Sequence, residues 1–244
     1  MTTEKMYPLL KVIVGSQAHG LATPESDTDY RAVYALQTNK ILSLGYKYSG
    51  SQWVEGEKED NTAWEIGHFL YLSLQCNPTI LEVFLAPEVK IPIEVDDVWT
   101  YRVNYLNYPQ ALRELFPYIW TPQKAYYAFL GYAKNQQKKF LDKKDNRPHK
   151  FAVAYIRTLI NLNELLTTGT FTVNLQNHPD KPFLMDLKRG NYKVGQVIDR
   201  ADQLIEEATQ NLSMNIFTPL TDEQRYEHAN RFLLGVRKEL FHHD

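Results

Sequence analysis

The chain has 244 residues, with 27 Lys+Arg against 29 Asp+Glu, and its formal charge of −2 excludes a histone-like or arm-like polycation. At 43% hydrophobic and 13% aromatic residues it carries enough apolar material for a packed core, so disorder is excluded. The one cysteine, Cys76, makes neither an intramolecular disulfide nor a zinc cluster, which fits a reducing compartment.

Nothing approaches the roughly 18 consecutive apolar residues of a membrane span. The early apolar run at 9–14 is short, is interrupted by Lys11 and lacks a cleavage site, so a soluble cytoplasmic protein with no membrane partner is expected. The length suits one large domain or two small ones. No repeat is visible, and nothing in the sequence sets the oligomeric state.

From residue 1 to about 60, β-branched and aromatic runs alternate with Gly, Ser, Asp and Pro, which predicts strands near 9–14, 30–36 and 53–62. Residues 64–75 have the apolar spacing of an amphipathic helix, although Gly67 weakens it. Asn77-Pro78 reads as an N-cap followed by proline at the first helical position, so a short helix through Leu85 follows. Beyond the breaks at Pro117 and Pro122, helices are predicted over 123–141, 149–167, 194–212 and 221–241, the last opening on a Thr221/Gln224 capping box. The fold class is α+β. A unit at 1–115, with a mixed sheet flanked by helices, precedes a helical unit at 116–244.

The stretch that carries chemistry is Val14-Gly15-Ser16, ten further residues, and then Asp27-Thr28-Asp29. A strand ending in Gly-Ser lets backbone N–H groups and the Ser16 hydroxyl approach a phosphate. The next strand brings in Asp27 and Asp29, and their spacing of two puts both carboxylates on one side. Such a pair repels unless a cation lies between them, and hard oxygen donors favour Mg²⁺. A triphosphate on the Gly-Ser turn, with one or two Mg²⁺ on the aspartates, is an arrangement for nucleotidyl transfer. The bland reading is a solvated Asp-Thr-Asp surface loop. A calcium loop fails, because neither the Gly nor the Glu it requires follows Asp27.

The phrase Gly15-Ser16-Gln17-Ala18-His19-Gly20, the run Pro24-Glu25-Ser26-Asp27-Thr28-Asp29-Tyr30-Arg31, and Asn77-Pro78-Thr79-Ile80-Leu81-Glu82 resemble the nucleotidyltransferase superfamily of the DNA polymerase β type. The resemblance is to its RNA-repair-pathway branch, found in bacteria and their phages, with fainter matches at 150–157 and at Lys188-Arg189-Gly190. It implies a polymerase β palm-like domain and a helical domain that closes one side of a cleft. It also implies transfer of NMP from an NTP, ATP foremost, to an acceptor hydroxyl on RNA or tRNA, with pyrophosphate release and two Mg²⁺ ions. Asp27 and Asp29 become metal ligands and catalytic residues, and Gly15 and Ser16 hold the β- and γ-phosphates. A third carboxylate is required. The pattern assigns it to Asp60, nearest the acceptor, in preference to Glu65, which fits a helix N-terminus through the macrodipole alone.

Residues 134–157 carry eight basic and two acidic side chains. The Lys138–Lys144 part reads best as a solvated helix end. Lys150 and Arg157, seven apart, share a helix face with Ala154, Asn161 and Glu164 and are candidate nucleotide contacts, with a structural salt bridge from Glu164 as the competing role for that stripe. Arg31 points to the side of Asp29 and neutralises the aspartates or meets a phosphate. His19, in the phosphate turn, is expected as an exposed loop histidine, with a triphosphate contact as the alternative, Tyr126, Tyr127 and Phe129 as core, and the Arg237/His242 spacing as uninformative. Two other functions stay open: a catalytically silent nucleotide- or RNA-binding module, and a regulator that modifies a toxin partner with NMP.

Overall fold

In the computed structural model, residues 6–47, 51–52, 62–90, 107–142 and 147–241 are described. Strand β1 (Met6–Val14) pairs antiparallel with β2 (Asp29–Leu36), from Met6 opposite Leu36 to Val14 opposite Asp29, with a register shift between Pro8 and Leu10. β4 (Thr62–Glu65) runs parallel to β2, and β3 (Ser51–Gln52) pairs antiparallel with β4, so the order is β1-β2-β4-β3. Beyond β1, Ile13 N–H donates to Pro87 and Val89 N–H to Lys11, which covers that edge.

The sheet is followed by helices. α1 (Gly15–Ala18) and α2 (Thr38–Ile41) are single turns. α3 (Ile66–Leu74) starts two residues later than its apolar periodicity predicts, because Trp64 and Glu65 belong to β4 and the Glu65 carboxylate caps the helix at Gly67 N–H (2.7 Å). α4 (Pro78–Leu85) has the expected limits, since the Asn77 side chain accepts from Thr79 and Ile80 N–H. Short α5 (Tyr108–Arg113) and α6 (Phe116–Ile119) lead to α7 (Pro122–Leu141) and α8 (Pro148–Thr168). α9 (Lys181–Arg189), α10 (Val194–Ser213) and α11 (Asp222–Phe241) complete the chain. The Thr221/Gln224 capping box is present, each side chain bonding the other's backbone N–H. Among the described residues no helix is long and apolar enough to cross a membrane.

One hydrophobic core joins sheet and helices: Leu10, Val12 and Val33 pack in the same cluster as Phe69, Phe84, Phe129, Leu162 and Val236. A second core, including Phe140, Tyr155, Leu159, Leu184 and Val197, lies among α7, α8, α9 and α10. Each large apolar side chain buried in this way contributes about 2 kcal/mol of transfer free energy. The junction of the early helices with α11 is polar. Arg225 is fully buried and donates to the carbonyls of Leu74 and Ile119, with Asp222 as its counter-ion at 2.9 Å.

Candidate active site

β1 ends at Val14, and Gly15 follows in the left-handed region at φ +67°. The chain then closes one helical turn, His19 N–H donating to Gly15 O and Leu21 N–H to Ser16 O, both at 3.0 Å. Asp29 stands across the ladder from Val14, close enough that a Cβ on residue 15 would collide with its carboxylate. Glycine is therefore required twice, for the dihedral and for the space.

Asp27 does not lie on the strand, as alternation with Asp29 suggested. A tight turn, with Ser26 N–H donating to Thr23 O and Thr23 N–H to Ser26 Oγ, delays entry into the ladder until Asp29. Lys188, on α9, fixes this loop by donating from Nζ to Leu21 O (2.6 Å) and Ser26 Oγ (3.1 Å). Burial pushes the Lys188 ammonium down from its ordinary value, with Glu25 acting in the opposite direction.

These pieces open onto a cavity of about 490 Å³ at one end of the sheet. It brings together Gly15, Ser16, Asp27, Asp29, Arg31, Lys150 and Arg157, seven of the eight residues singled out from the sequence. Asp60, the eighth, lies outside the described residues, as do Lys143, Lys144 and His242. Glu65 does not line the cavity. It pairs with Tyr34, well along β2 from Asp29, and its carboxylate is fully buried against Gly67 N–H and Arg237 (2.6 Å). Arg237 is thereby committed to an ion pair. Among the described residues no group of three or more His, Cys, Asp or Glu side chains is placed to hold a metal. Asp27 and Asp29 offer two carboxylates, the hard donor set with which Mg²⁺ combines water and substrate phosphate oxygens.

The wall behind the turn holds a buried ionic chain. His19 is not exposed as expected but 8% accessible, because its Nε2 lies 2.8 Å from Glu82 Oε1. Arg157 Nη1 donates to Glu82 Oε2, also at 2.8 Å, so Glu82 and not Glu164 is the partner of Arg157. Glu164 instead accepts from Thr172 N–H and lies 3.3 Å from His178. Burial alone would raise the Glu82 carboxyl, but Arg157 and His19 outweigh it and hold Glu82 well below the usual carboxylate range. Burial, with Arg157 adding to it, pushes His19 below its ordinary 6.5 against the opposing pull of Glu82. Glu82 is not among the candidates that the sequence offers. Its signal is a lone acid inside the apolar run Ile80-Leu81-Glu82-Val83-Phe84, where a carboxylate is buried only with partners.

Tyr132, on α7, and Thr79, on α4, also line the cavity without having been singled out. Lys134, Lys138 and Lys139 are exposed, as a solvated helix end predicts. Phe129 is buried, whereas Tyr127 is 64% exposed on the outer face of α7 and is not core.

The class is thus an α+β protein whose glycine bend, aspartates and cationic helix face meet at one end of a mixed sheet. The chain belongs to the RNA repair pathway DNA polymerase beta family (RlaP), which matches residues 2–235. A curated relative is the uncharacterized 38.9 kDa protein in the nrdC-mobD intergenic region of Enterobacteria phage T4, 28% identical over 143 residues. That match takes in 55% of this chain and 39% of the phage protein, so the chain spans well under half of that relative. A solved structure, the nucleotidyltransferase-like protein from Exiguobacterium sibiricum 255-15, aligns with 98% of this chain and 75% of its own at 12% identity. Its TM-score is 0.25, too low to bear on fold or function.

Proposed function

We propose that this protein is a Mg²⁺-dependent nucleotidyltransferase that moves NMP from an NTP, ATP foremost, to an acceptor hydroxyl on RNA, with release of pyrophosphate. The observation that carries this reading is the convergence of the 15–29 segment, with Gly15, Ser16, Asp27 and Asp29, and the distant Lys150 and Arg157 on one cavity of nucleotide-accommodating size. Membership of a polymerase β family whose description names RNA repair supports both the reaction class and the acceptor.

In this reading the turn at Gly15–Ser16 receives the β- and γ-phosphates on backbone N–H groups and the Ser16 hydroxyl. Asp27 and Asp29 hold Mg²⁺, which supplies Lewis-acid activation of the α-phosphate and charge compensation for the leaving pyrophosphate. Arg31 and Lys150 add positive charge around the polyphosphate, and Arg157, its charge paired with Glu82, offers N–H donors to it. Asp60 is the proposed third carboxylate and takes the proton of the attacking hydroxyl. Its support is spacing: Thr62 is paired with Arg31, and Asp60 precedes Thr62 by the same two residues that separate Asp29 from Arg31. Attack of the acceptor oxygen on the α-phosphorus forms the new phosphodiester and breaks the bond to pyrophosphate.

Incubation with each α-labelled NTP, Mg²⁺ and total cell extract, followed by separation of RNA, protein and small molecules, tests the reading. Label on RNA is expected, with none in Asp27→Ala or Asp29→Ala proteins that melt normally. Undiminished transfer by those variants removes the mechanism. Label on a protein band instead points to a modifier of a protein partner, and nucleotide affinity with no labelled product points to a silent binding module.

A further inference from the structure

Resting on that reading of the cavity, we infer that Glu82 is a positioning residue for its phosphate end: it holds the Arg157 guanidinium toward the substrate and out of reach of Asp27 and Asp29. The observation is the division of one buried carboxylate between two partners. Oε1 meets His19, in the segment that closes the phosphate turn, and Oε2 meets Arg157, on α8. Glu82 itself is set by α4, whose start is fixed by the Asn77 cap. Three parts of the chain, 63 and 75 residues apart in sequence, are thereby locked at one point.

Arg157 needs such a lock. Its side chain is 13% exposed and lines the same cavity as two aspartates. Without a dedicated counter-ion, a guanidinium there gains most by forking onto those carboxylates, a pairing that would occupy the oxygens a metal needs. One bond from Nη1 to Glu82 pairs the cation and anchors that end of it, while a guanidinium still has four N–H donors for phosphate oxygens. His19 completes the device. An ionised carboxylate only accepts, so Nε2 is the protonated nitrogen, and its N–H keeps Glu82 from rotating away from Arg157.

Simple Coulomb attraction and positioning predict opposite signs for the same variant. If charge alone mattered, removing the Glu82 carboxylate would tighten binding of a polyanion, since one negative charge would leave its neighbourhood. If Glu82 positions Arg157, the same change weakens binding, because the guanidinium is released to the aspartates. Outer-sphere partners that orient metal ligands change affinity by about ten-fold or more, and the same scale is expected of a carboxylate that orients a phosphate-binding guanidinium.

The test is binding of inorganic tripolyphosphate, with Mg²⁺, to the full chain by calorimetry, for wild type, Glu82→Gln, Arg157→Gln and the double variant, each with a thermal melt. Both single variants are expected to bind about ten-fold or more weakly. The double variant is expected to bind no more weakly than Arg157→Gln, because Glu82 acts through Arg157. Tighter or unchanged binding by Glu82→Gln overturns the proposal, and so does a full additive loss in the double variant. A Glu82→Gln protein with a lower melting temperature but wild-type affinity reduces Glu82 to a structural prop and likewise overturns it. If Glu82→Gln does not fold, Glu82→Asp keeps the charge but withdraws it by one methylene. It is expected to weaken binding also, and unchanged affinity counts against the proposal. Failure of the wild type itself to bind tripolyphosphate overturns the nucleotidyltransferase reading together with the inference. That pattern is distinct from a wild type that binds alongside variants that bind equally well.

Discussion

A methyl group at position 15 and the Asp29 carboxylate compete for one volume, and the backbone there is left-handed as well. Gly15→Ala is therefore expected to destabilise the protein by about 1–3 kcal/mol through backbone strain. It also displaces Asp29, so label transfer should fall to background even in the fraction that remains folded. Melting curves and the transfer assay check the two effects separately. The buried ionic chain predicts how stability responds to acid. Folding lowers the affinity of His19 for a proton, so below its ordinary value of 6.5 the unfolded chain binds more protons than the folded one. Stability therefore rises with pH through the window below 6.5, is complete above it, and is lost on acidification toward the folded value. Glu82 is also depressed, from an ordinary 4.5, and its contribution is present above that value and lost as the pH falls further. Melting temperature against pH should decline in two stages. His19→Gln, which keeps an N–H for Glu82, should abolish the upper stage alone. A variant curve that overlays wild type would refute the assignment.

At the scale of elements, the sequence was legible where a local chemical signal marks a boundary. Asn77-Pro78 starts α4 and Thr221/Gln224 starts α11, because capping is a matter of a few neighbouring residues. Asn77→Ala should cost about 1 kcal/mol in a denaturant titration, with no change in its slope. The Gly-Ser bend and Asp-Thr-Asp run were legible for the same reason, and they do meet in one cavity. What could not be read were partnerships across the chain. The sequence offers Arg157 only Glu164, on its own helix face, as a competing ion-pair partner, whereas Glu82 comes from α4, and only packing reveals it. His19 looked like a loop residue, since nothing nearby announces that a carboxylate 63 residues away will bury it. Apolar spacing starts α3 at Trp64 and not at Ile66, because it does not distinguish the end of a buried strand from the first turn of a helix.

The whole molecule is closed by its last helix. α11 returns to the sheet side, where Arg237 meets the fully buried Glu65 at 2.6 Å and its carbonyl accepts from the Thr38 hydroxyl. Arg237→Ala leaves a carboxylate buried without its cation, an event that costs about 3–5 kcal/mol. The expected result is a fall in urea midpoint large enough to threaten folding at 37 °C, and Glu65→Gln combined with Arg237→Ala should restore much of it. Because the main core draws on β1 and α4 as well as on α7, α8 and α11, fragments 1–115 and 116–244 would each expose apolar surface that the other covers. Expressed separately, neither should show a cooperative melt, whereas the joined chain should.

The lysine that steadies the Asp27 loop lies 167 and 162 residues downstream of the groups it grips. Translation proceeds from the N-terminus, so the loop leaves the ribosome long before its fastener is made. A nascent chain halted short of α9 already carries both aspartates but lacks the staple on Leu21 and Ser26 of their loop. The loop is thus fastened only once α9 has been made, and a product interrupted before it has its acids without that fastening.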